Sequence, residues 1–88
     1  MNLTISDDII WKEFNDKITI INIEQENDTL YEVRGVAINV FLGITEKKDL
    51  EAIIKDILSS YKITEKQVRE DIDNFLSDLT RLKIISDS

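Results

Sequence analysis

The chain has 88 residues, with eleven lysines and arginines against eighteen aspartates and glutamates, a formal charge of −7, and no histidine, cysteine or proline. That length suits a single domain over residues 1–88, with a small core, and the inventory excludes the common zinc sets, a thiol nucleophile, a Ser-His-Asp triad and any disulfide. The acidic balance opposes the phosphate contacts that dominate nucleic-acid affinity and opposes anionic membrane surfaces, so neither is expected as a partner.

No apolar run approaches the roughly 20 residues needed to cross a bilayer. The first residues, MNLTISDDIIW, have neither a basic n-region nor a long apolar h-region. With no cysteine to stabilise a secreted fold, a cytoplasmic location is expected.

After a polar start, residues 9–14 (IIWKEF) and 18–23 (ITIINI) are rich in β-branched and aromatic side chains and are separated by Asn15-Asp16-Lys17. Asn and Asp tolerate the left-handed backbone of tight turns, so this pattern predicts a β-hairpin. A polar break at residues 24–28 (EQEND) precedes a third short strand at residues 29–33 (TLYEV), which completes an antiparallel meander.

Arg34-Gly35 ends that strand, and residues 36–44 (VAINVFLGI) change to helical spacing. Gly43 can either terminate this first helix in a left-handed C′ conformation or sit in its last turn. Leu50, Ile53, Ile54, Ile57, Leu58 and Tyr61 follow i, i+3, i+4, i+7, i+8, i+11, a second helix with Asp49 as N-cap and Thr45 as an earlier candidate. The most strongly patterned stretch is residues 64–82, where Val68, Ile72, Phe75, Leu76, Leu79 and Leu82 make one apolar stripe. Thr64 and Gln67 stand at capping-box spacing at its start. Residues 83–85 are β-prone and 86–88 are expected to fray, leaving an ordered core of about 9–85. The predicted class is α+β, a three-stranded antiparallel sheet followed by three helices.

No catalytic constellation emerges. Glu24, Glu26 and Asp28 superficially suggest a calcium loop, but the sharp-turn glycine is absent and the twelfth position is Gly35 instead of glutamate. Glu70, Asp71 and Asp73 diverge around the third helix, and Lys66–Glu70 and Arg69–Asp73 are i, i+4 pairs of a solvated face. Two isolated glycines build no phosphate loop. Trp11 is expected to pack, and no enzyme activity, metal or cofactor is expected.

The backbone itself offers another function. An open sheet edge carries unpaired N–H and C=O groups that can accept a strand from another chain. If residues 29–33 form such an edge beside the third helix, an extended peptide can add a fourth strand and drop alternate side chains into pockets near Tyr31, Val33, Ile72 and Leu76. The pattern equally allows the chain's own ends to cover that edge.

Three segments resemble the small PqqD-like proteins, also called RiPP recognition elements, which bind leader peptides of ribosomally made, post-translationally modified peptides. They are Leu30-Tyr31-Glu32-Val33 with Gly35 and Ala37; Val40-Phe41; and Val68-x-x-Asp71-Ile72-x-x-Phe75-Leu76-x-x-Leu79. The similarity runs from about residue 9 to 85. The glycines common after the family's first and third helices fall on Glu46 and Lys83, so the first of these turns is expected to be built differently, through Gly43. The resemblance implies a winged helix-turn-helix-like fold that holds the leader as an added strand. It places peptide contacts at Leu30, Tyr31, Glu32 and Val33 on the strand and at Arg69, Ile72, Asp73 and Leu76 on the helix. It further implies a non-catalytic adaptor with two partners: a precursor leader peptide and a separate maturation enzyme such as a peptidase, cyclase or radical enzyme. Lasso-peptide systems and pyrroloquinoline quinone biosynthesis both use free-standing versions of the module. The rival class is a winged-helix DNA-binding regulator.

Overall fold

The computed structural model describes residues 3–23 and 29–87. The polar stretch 24–28, with the calcium-loop comparison made there, lies outside the described residues, as do Met1, Asn2 and Ser88. Five strands and three helices follow in the order β1 (Leu3–Ile5), β2 (Ile9–Phe14), β3 (Lys17–Asn22), β4 (Thr29–Arg34), α1 (Val36–Thr45), α2 (Leu50–Ser60), α3 (Glu65–Arg81) and β5 (Ile85–Asp87). Strands β2, β3 and β4 form an antiparallel sheet with β3 in the centre, and three helices follow it. This is the expected α+β, winged helix-turn-helix-like architecture.

Hairpin register follows from its turn. Asn15 and Asp16 form the expected two-residue connection, though without the left-handed backbone expected of them, and with Phe14 paired to Lys17 every later pair is fixed in step. Because side chains alternate across a strand, Trp11, Ile18, Ile20, Tyr31 and Val33 share the face toward the helices. Ile18 and Ile20 are fully buried there, and the Trp11 ring meets Phe41 of α1 edge-on at 5.3 Å. The opposite face carries the cross-strand row Ile10, Ile21 and Leu30. Ile10 is 56 % exposed and Leu30 61 %.

The helices close the core from the other side. Val40, Phe41 and Ile44 of α1, Ile53, Ile54 and Ile57 of α2, and Val68, Ile72, Phe75 and Leu79 of α3 are buried in one cluster with the sheet. Gly43 lies inside α1, and neither ends the helix nor builds the turn after it. A Cβ there would come within 2.6 Å of Ile53, so the glycine permits close approach of α1 and α2. Asp49 precedes α2 without a side-chain cap bond, whereas Thr45 belongs to α1 and its hydroxyl donates to the Leu42 carbonyl. At α3 the Thr64 hydroxyl accepts from the Gln67 N–H, but the Gln67 side chain donates to Asp71 instead of reaching back. The capping box is therefore half made.

Two lysines take the left-handed position after a helix that glycine most readily fills. After α1, Lys47 takes φ 58°, the Lys48 N–H donates to Gly43 and the Lys47 N–H to Ile44. After α3, Lys83 takes φ 61°, with Ile84 N–H donating to Leu79 and Lys83 N–H to Thr80. Both are Schellman closures with a non-glycine C′ residue. A left-handed non-glycine residue costs roughly 1–2 kcal/mol, part of which is offset by glycine's greater unfolded-state entropy. Lys83→Gly is therefore expected to stabilise the domain by up to about 1 kcal/mol, read as a raised urea midpoint; a lowered midpoint would mean that the lysine side chain supplies more than its backbone costs.

Segments near the two termini pair with each other. Leu3–Ile5 pairs antiparallel with Ile85–Asp87, and the Ser6 N–H donates to the Ile84 carbonyl. Burial of Ile84 and Ile85 anchors this pair, so residues 86 and 87 lie in a strand where fraying was expected. The neighbouring Asn22 side chain donates to the Leu82 carbonyl at 3.2 Å, tying β3 to the end of α3.

Candidate functional site

Strand β4 is an edge, since the sheet order is β2-β3-β4. The chain's own terminal strands pair with each other, so among the described residues no strand covers this edge. Which of its backbone groups point outward follows from the hairpin. Ile23 N–H donates to the Asp8 carbonyl, and the register then makes Ile10–Ile21, Lys12–Thr19 and Phe14–Lys17 the bonded pairs between β2 and β3. The intervening residues Ile18, Ile20 and Asn22 direct their backbone toward β4, where their partners are Val33, Tyr31 and Thr29. Leu30, Glu32 and Arg34 therefore present their N–H and C=O groups to the open edge.

A cleft of about 290 Å³ lies where β4 passes into α1 and faces α3, lined by Arg34, Val36, Ala37, Val40, Asp71, Ile72 and Phe75. Its floor is aliphatic and aromatic, and its two charged residues come from opposite walls. Further along the strand, the Tyr31 ring lies 6.4 Å from Phe75, so β4 and α3 are in side-chain contact across the groove. Burial pushes the Tyr31 hydroxyl pKa up, repulsion by Asp78 adds to this, and Arg81 opposes it. The phenol thus stays a hydrogen-bond donor at neutral pH.

The expected site residues divide between the two flanks of α3. Leu30, Tyr31, Glu32 and Val33 all lie on the edge strand, with Val33 buried and Tyr31 half-buried on the helix side while Leu30 and Glu32 are exposed on the outer face. Ile72 lines the cleft. Arg69 lies on the opposite flank, where its Nη1 and Nη2 donate to the Glu51 carboxylate of α2 at 3.2 and 3.0 Å and its Nε to Glu65 at 3.1 Å. Asp73 and Leu76 follow it by four and seven residues and so share that stripe. Beside β4 it is Asp71 and Phe75 that join Ile72 along the cleft, with Asp78 on their stripe, whereas Arg69, Asp73 and Leu76 lie on the flank away from it. Periodicity marked the stripe but carried no signal of which side β4 would occupy.

Charge on the edge is largely paired. Glu32 accepts from Lys17 at 3.3 Å and from Arg34 at 3.2 Å, and these two cations, Arg34 first, hold its carboxyl below the usual range. On α3, Arg69 is taken by Glu51 and Glu65 and Arg81 by Asp78. Lys66 is left as that helix's cation outside an ion pair among the described residues, a poor match to a DNA-reading helix, which relies on exposed cations.

Comparison with known proteins agrees with this layout. Among solved structures, the chain described as "TbiB1 in Complex with the TbiA(beta) Leader Peptide" shares the fold with a TM-score of 0.85 over 97 % of this chain and 96 % of that one, at 20 % identity. No curated protein matches. The family model described as "Coenzyme PQQ synthesis protein D (PqqD)" matches residues 20–85, a span that takes in the second half of β3, β4, all three helices and every residue lining the cleft. The chain belongs to the PqqD family.

Proposed function

We propose that the protein is a non-catalytic adaptor that binds the leader segment of a ribosomally made precursor peptide by strand addition to β4 and presents it to a separate maturation enzyme. The observation that carries this reading is the unpaired edge of Leu30, Glu32 and Arg34 beside an apolar cleft. Main-chain bonds to those three residues supply affinity that tolerates sequence variation, and the cleft between β4 and α3 adds side-chain selectivity. Arg34 from the strand, Val40 from α1, and Asp71, Ile72 and Phe75 from α3 are among its walls, and Tyr31 packs toward Phe75 further along β4. The structural neighbour is described in complex with a leader peptide, which supports this reading. Once the leader is held, the rest of the precursor meets the enzyme at an effective concentration set by the tether, which is how a protein without catalytic groups accelerates a modification.

The test is amide hydrogen exchange of the full chain with and without a saturating precursor leader. Leu30, Glu32 and Arg34 bond outward, so their amides exchange freely in the unbound protein and are expected to slow by at least tenfold on binding, while Tyr31 and Val33, already bonded to β3, change less. Protection confined to another face of the molecule would sink the strand-addition mechanism.

A further inference from the structure

We infer that the groove selects segments in which a lysine or arginine stands two residues from a large apolar side chain, and that Asp71 is the residue reading the cation. This deepens the groove assignment above and rests on it. The carboxylate on the α3 wall of the cleft, Asp71, has no ion-pair partner among the described residues. Arg34 is engaged by Glu32 at 3.2 Å and Asp78 by Arg81 at 3.1 Å, but Asp71 accepts only from the neutral Gln67 side chain, at 2.8 Å, with no cation in ion-pair distance among the described residues. The floor beside it, Val40, Ile72 and Phe75, is apolar. Spacing then sets the pattern. Along α3, Asp71 precedes Phe75 by four residues, a rise of about 6 Å, while side chains on one face of a strand repeat every ~6.7 Å. A strand side chain packed on Phe75 therefore has its same-face neighbour level with Asp71. The long-range field acts in the same direction, since the chain carries −7 overall and draws cationic segments toward the groove.

The test is selection of random twelve-residue peptides displayed against the wild-type chain, Asp71→Asn and Glu32→Pro, followed by affinity measurement of one selected lysine peptide and its norleucine counterpart. Wild type is expected to enrich Lys or Arg two positions from an apolar anchor, and Asp71→Asn to lose that enrichment. An exposed ion pair of ordinary strength predicts about three- to fivefold weaker binding of the lysine peptide to Asp71→Asn, with the norleucine peptide unchanged. That difference should shrink as ionic strength rises. Enrichment of apolar residues without a cation, or a cation preference that survives in Asp71→Asn, would overturn the inference while leaving strand addition intact. Recovery of no binders, or of binders indifferent to Glu32→Pro, would overturn the groove assignment itself and this inference with it.

Discussion

Replacing Glu32 by proline is expected to abolish leader binding while the domain remains folded. Glu32 lies mid-strand, its side chain is exposed, and its N–H points away from β3, so proline removes a donor that no internal bond uses. The ring then projects into the line an added strand must occupy. Loss of one main-chain bond with its acceptor left unsatisfied costs about 1–3 kcal/mol, so together with the steric block affinity should fall well beyond tenfold. The lost ion pairs with Lys17 and Arg34 are solvent-exposed and contribute little. Tyr31→Pro is the internal control: its N–H bonds to Ile20 across the sheet, so the same residue one position earlier should destabilise the fold. Fluorescence anisotropy of a labelled leader, with thermal melts followed by circular dichroism, separates the two cases. Wild-type affinity in Glu32→Pro would remove β4 from the mechanism.

The largest stability effect is expected at Phe41. Its side chain is fully buried, it sits between sheet and helices, and the edge of its ring contact with Trp11 is a specific aromatic geometry. Phe41→Ala deletes the ring and leaves a cavity, a change that costs about 3–5 kcal/mol. Small single domains have about 5–15 kcal/mol in total, and those of this size lie near the lower end. The variant should therefore be substantially unfolded at 37 °C, and the emission of Trp11, the sole tryptophan, should shift to the red as its neighbour is lost. Ile10→Ala on the exposed outer face serves as the comparison, expected within about 0.5 kcal/mol of wild type. A Phe41→Ala midpoint close to that of Ile10→Ala would mean that the core closes over the vacated space.

Much of the architecture was legible because local chemistry and global packing agree. Asn15-Asp16 marks the hairpin, β-branched side chains mark residues 18–23 as its second strand, and the helical spacing from Val68 to Leu79 marks the stripe that meets the sheet. The edge role of β4 was inferable from strand order, since a three-stranded meander has an outer strand at each side. What escaped depends on contacts between remote segments or on backbone geometry without a residue signature. Pairing of residues 3–5 with 85–87 joins segments from opposite ends of the chain and is anchored by burial of Ile84 and Ile85, contacts that no local pattern announces. Lysine at φ 58° and 61° contradicts the preference for glycine, and only the hydrogen bonds around Lys47 and Lys83 reveal the turns. The flank of α3 that borders the groove is decided by the angle at which the helix docks, a tertiary quantity that periodicity along one helix does not contain.

The β1–β5 pair has a topological consequence. Leu3 and Asp87 are cross-strand partners, so the first and last described residues stand about 5 Å apart. A linker of a few residues would close the backbone into a ring, and the same proximity would let the whole unit be spliced into a surface loop of a larger protein without stretching its host. The sheet order places the free rim of β4 on a different strand set from those ends, so neither operation consumes the hydrogen-bonding groups offered to a peptide.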